Sequence, residues 1–482
     1  MNLSNTTKPL IDIELGGTDA ESDPDLSEYF LTTPIIRTVF GNKKYIILGR
    51  KGSGKSSIFT QMPRIAAEEN VSKSIVQLFP DDYAWKNLKD HNETGISKEH
   101  AHTNAWLFTI AIEVGLSLIN LNVDWNREAS KALENFKTFL KATQPEATQS
   151  PLSRSTRLLS SLKSFNFNAF GFGMGATVAD GKSPSVATPH EVATAIFHSL
   201  IPALEQQPHI IALDRLDDAW DGSENSKSIL IGLLKAAKDL NDKYKETRSR
   251  KQILRVVLFL RTDIYESLSF DDKDKHRPYE EQIIWDESNL AEMVNLRLPE
   301  RMTFSELFPR SPMRGSTLPK DYMLKRTFLR PREVLQFLGL CLSKSGPGDT
   351  QISKEVLKKA EITFSNWKVE DLKQEYSKSS PNFPNLIEAF RQGNHRYDSK
   401  RDLLSLLQSQ AHDEVQALGE QETLKLLLNS SAIGVRIGNG GAIRYKSTAP
   451  ELSLPPEGTF YVHQALHKGL NITETRAPRD DK

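Results

Sequence analysis

One stretch limits what this chain can become: residues 43–60, KKYIILGRKGSGKSSIFT. Tyr45, Ile46, Ile47 and Leu48 form a short apolar run that predicts a buried strand. Gly49, Arg50, Lys51, Gly52, Ser53, Gly54, Lys55 and Ser56 spell a glycine-rich loop, and Ser57, Ile58 and Phe59 continue in a helix-permissive register. Strand, loop and helix in that order suit the wrapping of a polyphosphate by inward-pointing backbone N–H groups. Glycines at 49, 52 and 54 permit the backbone angles and the close approach that wrapping needs. Lys55 would reach the β and γ phosphates and the Ser56 hydroxyl would hold Mg²⁺. The helix that begins beside Ser57 would add its positive end. The expected ligands are ATP and Mg²⁺.

Composition sets the frame around this loop. With 482 residues the chain exceeds one hydrophobic core and predicts two to four domains. Lys+Arg and Asp+Glu both number 62, so no global basic field advertises nucleic acid. No uninterrupted apolar run of membrane-crossing length is evident, and MNLSNTTKPLIDIELGG lacks the basic and apolar regions of a secretory signal. The lone cysteine, Cys341, fits a reducing compartment and core packing. The expectation is a cytoplasmic protein without a membrane partner.

Residues 1–44 read as a polar, acidic lead followed by a helix-like segment through Tyr29, Phe30, Leu31, Ile35, Ile36 and Val39. Asp23 and Asp25 read as helix-start residues. Ser74 to Leu78 predicts a second strand and hence a βαβ unit with a parallel sheet, and Asp81 and Asp82 read as a turn. A long buried helix carries Trp106. Residues 140–188 change character around FNFNAFGFGMG, whose alternating aromatics predict a ribbon inserted in the core. Thr188, Pro189 and Glu191 make a capping box that starts a helix.

An apolar strand, His209 to Leu213, then ends in acids: Asp214, Asp217 and Asp218 in ALDRLDDAW. Asp214 at its tip would hold Mg²⁺ through water, with Asp217 or Asp218 orienting or deprotonating an attacking water. The run ILRVVLFL ends in Arg261, Thr262 and Asp263, and a polar residue at the carboxyl end of a central parallel strand faces the ligand crevice. Arg261 is therefore expected to sense the γ-phosphate or its acids. Ile283, Ile284 and Trp285 precede a helix on which Arg297 is either a finger toward a neighbouring subunit or an ordinary face residue, and His276 reads as exposed. In KRTFLRPREVLQFLGL, Arg330 or Arg332 flanks a helix start at Pro331 and would enter the nucleotide site. Helices follow, then the hairpin GVRIGNGGAIRY turning at Asn439-Gly440, with Arg436, Arg444 and Lys446 available to phosphates or to a protein.

The ordered set GRKGSGKS, ALDRLDDAW, LFLRTD and LRPRE with a terminal wing resembles a STAND or AAA-like ATPase, and more closely the bacterial P-loop ATPases with DRLD followed by Trp, often found in phage-defence neighbourhoods. The implied fold is α/β, a P-loop NTPase with a parallel central sheet, followed by an α-helical region and a C-terminal winged-helix-like domain. The expected boundaries are a helical lead at 1–44, an ATPase core at 45–300 with its insertion at 140–188, a helical lid at 301–345, a helical and winged region at 350–472, and a polar tail at 473–482. The resemblance implies Lys55 on phosphate, Ser56 and Asp214 on Mg²⁺, Asp217 or Asp218 at the water, Arg261 as first sensor and Arg330 or Arg332 as second. Arg215 occupies the place where many such ATPases carry Glu, which implies slow turnover. The expected function is a regulated ATPase whose nucleotide state sets oligomerisation or engagement of a separate effector or sensor protein in antiviral defence. The alternative is a nucleotide-gated, DNA-binding winged-helix protein.

Overall fold

The computed structural model describes residues 9–474 apart from 42, 81, 92, 94, 144–155, 160–187, 219, 247–249, 301 and 439–440. The ribbon expected around FNFNAFGFGMG, the aspartate at 81, the Asn439-Gly440 turn and most of the polar tail lie outside the described residues. The chain forms two compact units: a parallel-sheet unit of Pro34–Gly49 and Ile58–Gln282, and a helical unit of Met1–Thr33, Arg50–Ser57 and Ile283–Lys482.

The parallel-sheet unit runs α1 (Pro34–Phe40), β1 (Ile46–Gly49), α2 (Lys55–Glu68, whose first turn belongs to the helical unit), β2 (Ser74–Leu78), α3 (Asp82–Asp90), α4 (Lys98–Asn120), α5 (Arg127–Thr143), α6 (Pro189–Gln206), β3 (His209–Leu213), α7 (Glu224–Lys243), β4 (Leu254–Arg261), α8 (Thr262–Ser267) and β5 (Glu280–Gln282). Its five strands lie in the order β2-β3-β4-β1-β5, every pair parallel, with Gly49 in register with Arg261 and Leu213 with Leu258. The apolar runs that form β1, β3 and β4 are buried on both faces, which is what a helix-covered parallel sheet requires. The α/β class with a parallel central sheet is therefore as the sequence predicts.

Helix α4 is the core helix of this unit. By length and mean hydropathy it is sufficient to cross a membrane, although its apolar run is interrupted, and 78% of its most apolar window is buried inside the protein. The Trp106 indole donates to Ile229 O on α7 at 3.0 Å. The two helices meet closely enough that a Cβ at Gly232 would lie 2.8 Å from His102 Cβ and the Thr103 nitrogen. The capping box at α6 forms in full, with Thr188 and Glu191 exchanging hydrogen bonds.

Several expectations need correction here. Helix α1 covers only Pro34–Phe40, and the edge strand β5 is the polar Glu280–Gln282, which the sequence reading does not mark. Its three residues, EEQ, are all polar, so no apolar run marks it. Asp82 opens helix α3, so only residues before it can turn. His276 is buried, 1% exposed, with its ring edge-on to Phe270.

The helical unit holds α9 (Glu287–Asn295), α10 (Pro319–Leu324), α11 (Pro331–Ser343), α12 (Lys354–Ser377), α13 (Phe383–Glu388), β6 (Arg396–Tyr397), α14 (Lys400–Gln410), α15 (His412–Leu418), α16 (Glu420–Asn429), β7 (Ile433–Arg436) and β8 (Thr459–Val462). One core joins Leu10, Ile13 and Leu15 to Leu290, Phe304, Phe337, Cys341 and Phe364, with Phe337 and Phe364 stacked at 4.5 Å. A second core, which joins Phe328, Val369 and Tyr376 to Phe383, Leu424, Phe460 and Ile472, supports the antiparallel sheet β6-β8-β7. The ladder partner of β7 is β8, while the arm of the expected hairpin after the turn meets β7, among the described residues, through the antiparallel bridge between Val435 and Arg444. Asp23 is no helix start; it is 8% exposed, accepts the Tyr29 hydroxyl and lies 3.5 Å from Arg297. Arg297 donates to Leu15 O at 2.6 Å and lies over the Tyr29 ring. That burial occupies it inside its own chain.

Candidate functional site

The predicted residues fall into a loop group in the helical unit and an acidic group in the parallel-sheet unit. In the loop, Gly52 and Gly54 have φ of 78° and 93°, the left-handed region that glycine tolerates, whereas Gly49 is ordinary strand backbone at the end of β1. Sequence reasoning therefore assigned one glycine too many a conformational role. The Ser53 nitrogen donates to Arg50 O at 3.1 Å, closing a tight turn, and Lys55 Nζ reaches the same carbonyl at 3.3 Å. Lys55 and Ser53 are buried, while Ser56 and Ser57 are half-buried in the first turn of α2. Their location leaves two hydroxyls and the first N–H groups of a 14-residue helix together.

The loop is braced by residues from much later in the chain. Arg330, the N-cap residue of α11, donates from Nη1 to Lys51 O at 3.1 Å and to Glu375 at 3.0 Å, with Glu333 at 3.8 Å. Burial works against its charge, but Glu375 and Glu333 outweigh that cost and push its pKa up. The Arg332 nitrogen donates to Gly52 O at 3.4 Å, and its guanidinium pairs with Asp19 at 2.5 Å. Both arginines of LRPRE thus meet the loop through its carbonyls. In a phosphate-wrapping loop the N–H groups point inward, which leaves its carbonyls to the outside. Trp285, which the sequence places only ahead of a helix, donates its indole N–H to Ser53 O at 2.8 Å and lies 4.0 Å from where a Gly54 Cβ would stand. Arg50 bonds Asn429 O and, at 3.4 Å, the Tyr376 hydroxyl.

The acidic group emerges at the carboxyl edge of the sheet. Asp214 follows β3, is 2% exposed, and its nitrogen donates to Leu78 O at 3.1 Å. Arg215 next to it takes a left-handed φ of 58°, which turns its guanidinium over the Phe79 ring at 5.4 Å and leaves Nε 3.6 Å from Asp218. Arg261 ends β4, the strand between β1 and β3. It grips Asp263 with two bonds, at 3.1 and 2.7 Å, and its Nη1 stands 3.5 Å from Asp217. Asp263 was visible in the sequence only as part of a strand cap. Its bidentate hold fixes the direction of the guanidinium. Asp217 and Arg261 are brought together; Asp218 is the more exposed acid and faces Arg215.

Of the expected wing cations, Arg436 lies over the Tyr461 ring at 5.1 Å, Arg444 pairs with Glu451, and Lys446 donates to Leu452 O at 3.1 Å. The exposed first turn of α16 is Glu420, Gln421 and Glu422, with Lys425 held by Glu422 at 2.6 Å.

Three comparisons bear on this arrangement. The FunZ-associated C-terminal helical domain matches residues 287–373, from α9 into α12. A "Putative transposon gamma-delta 80.3 kDa protein" of Escherichia coli (strain K12) is 23% identical, with 98% of this chain and 68% of that protein covered. A solved structure of the Aeropyrum pernix ORC1 protein in complex with DNA overlaps 93% of this chain and 94% of its own, at 10% identity and a TM-score of 0.34. The chain is therefore similar over nearly its whole length to that putative transposon protein, and its residues 287–373 are similar to the FunZ-associated helical domain.

Proposed function

We propose that this chain binds and hydrolyses ATP with Mg²⁺, and that its nucleotide state sets engagement of a partner or of further copies of itself. The observation that carries the reading is the position of Arg261. It ends the strand that lies between loop-bearing β1 and Asp214-bearing β3, in register with Gly49, and it is fixed by Asp263 beside Asp217. A glycine loop that follows one strand in sequence, with a carboxylate and an arginine at the ends of the sheet's neighbouring strands, suits phosphoryl transfer, where catalysis is mostly positioning and charge neutralisation.

In this reading MgATP supplies the phosphoric anhydride that is cleaved. The loop N–H groups and Lys55 hold the phosphates. Mg²⁺ keeps waters and phosphate oxygens among its ligands, so the Ser56 hydroxyl and Asp214 through water suffice from the protein. Asp217 orients the attacking water and takes its proton; we prefer it to Asp218 because Arg215 occupies the latter. Arg261 neutralises charge growing on the phosphoryl oxygens. Arg330 and Arg332 are assigned to hold the loop from its carbonyl side, which revises the expectation that one of them contacts phosphate. The setting proposed from the family resemblance is antiviral defence; the transposon relative makes a mobile-element setting the competing one.

The test is phosphate release by the purified chain beside Lys55→Ala, Asp217→Asn and Arg261→Ala. A loss of roughly 10²-fold or more in each is expected; equal release by all four proteins would sink the enzyme reading.

A second reading rests on the sheet β6-β8-β7 with α14, α15 and α16, whose order supports a winged-helix module able to meet DNA through Arg436, Arg444 and Lys446. The acidic first turn of α16 weighs against base reading by that helix. Salt-dependent duplex binding reduced by Arg436→Ala supports this second reading, and no binding at low salt removes it.

A further inference from the structure

Resting on the ATP-binding reading, we infer that Arg50 is a positioning residue that couples the phosphate loop to the carboxyl end of α16, so that nucleotide on the loop is felt at β7. Arg50 occupies a variable position of the glycine loop, where a cation would ordinarily be credited to phosphate. Its guanidinium is engaged elsewhere: Nη2 donates to Asn429 O and Nη1 to the Tyr376 hydroxyl at 3.4 Å, and that hydroxyl is itself 3.5 Å from Asn429 O. Asn429 is the last residue of α16, where carbonyls lack intrahelical partners and the helix dipole is negative. A cation there is favourable on both counts.

The next loop residue is tied to the same helix pair. Lys51 O accepts Arg330 Nη1, which also donates to Glu375, the neighbour of Tyr376 on α12. Successive loop residues, Arg50 and Lys51, are thus linked to successive residues of α12, Tyr376 and Glu375. A cavity of about 90 Å³ lined by Lys51, Arg330, Glu333, Lys368 and Glu375 separates loop from helix on this side. The loop therefore has room to shift against α12 but not to shift without moving Arg50.

Beyond Asn429 the path to β7 is short and stiff. Ser431 sits at a φ of 63°, unusual for a residue with a side chain, and its hydroxyl accepts the Ser447 nitrogen at 2.8 Å. Ile433 begins β7 two residues later, and β7 ends in Arg436. Displacement of Asn429 O would be delivered to both sides of the β7 segment at once. By linkage, whatever the β7–β8 sheet binds must alter nucleotide affinity by the same factor.

Hydrogen–deuterium exchange on the full chain, with and without Mg²⁺ and a non-hydrolysable ATP analogue, reads this directly. Nucleotide is expected to change exchange at residues 430–436 by about fivefold or more. Arg50→Ala, loaded with analogue to saturation as followed by thermal shift, is expected to abolish that change; Arg50→Lys, which keeps one bond to Asn429 O, restores part of it. If Arg50→Ala does not fold, Tyr376→Phe, which removes one hydroxyl, is expected to halve the change or more. An unaltered change in Arg50→Ala, or in Tyr376→Phe where that variant stands in, overturns the coupling, as does nucleotide binding without any effect at 430–436. Absence of any thermal shift in the unaltered chain overturns the ATP-binding reading as well, and the two failures are thereby told apart.

Discussion

At the scale of single residues, the loop is most sensitive at Gly52. A side chain there would have to adopt a φ of 78°, and its Cβ would come within 3.1 Å of Arg332 Cβ, next to the carbonyl that Arg332 caps. The left-handed conformation alone costs roughly 1–2 kcal/mol. Gly52→Ala is therefore expected to lose the MgATP-induced thermal shift while the far-ultraviolet circular dichroism of the chain stays unchanged; a retained shift would show that the loop adapts. A second residue-scale property is acid sensitivity. Burial lowers His102 and His276 to about 4, from an ordinary value near 6.5. Between those values the unfolded chain binds more protons than the folded one, so stability is complete above about pH 6.5 and falls as the pH drops toward 4. Each histidine contributes up to about 3 kcal/mol to that fall. Urea midpoints measured at pH 7 and pH 5 should differ, and His276→Phe should shrink the difference. What was legible in the sequence at this scale was the loop chemistry and the acids after β3. What was not were the partners that aim them: Arg330, Arg332 and Trp285 reach the loop across more than two hundred residues, and no local pattern records such a meeting.

At the scale of elements, strands buried on both faces announced themselves. Strand β2 lies at Ser74–Leu78 as predicted, and β3 and β4 end where polar residues interrupt their apolar runs. Helix α5 was missed although Ala129, Leu133, Phe136 and Leu140 recur at helical spacing and are all buried, so the signal was present and unread. The edge strand β5 was missed for the opposite reason, its EEQ sequence carrying no signal at all. His276 was misread because a strongly charged local sequence, DDKDKHRP, conceals one buried ring. The capping box of α6 was fully legible, because its two residues sit three apart in the chain and need nothing distant. Thr188→Ala should cost about 1 kcal/mol, seen as a lower urea midpoint with an unchanged slope. A cost near zero would mean that water satisfies the helix end equally well.

At the scale of the whole molecule, equal numbers of acidic and basic residues leave association to specific contacts. If nucleotide controls assembly, light scattering should report a larger mass with Mg²⁺ and the non-hydrolysable analogue than without, and the same mass in both for Lys55→Ala. Neither compact unit is a continuous piece of chain, since the helical unit is drawn from three separate segments. Its first core draws Leu10, Ile13 and Leu15 from the start of the chain and packs them with Leu290, Phe337 and Phe364. A fragment cut to residues 287–373, the stretch similar to the FunZ-associated domain, would leave the groups those three side chains cover open to water. The same arrangement bears on biosynthesis. At about 5–20 residues per second, residues 10–15 leave the ribosome on the order of tens of seconds before the helices that shelter them exist. For that interval a nascent chain must carry an uncovered apolar segment, which makes its beginning a natural client of the chaperones that meet proteins as they are made.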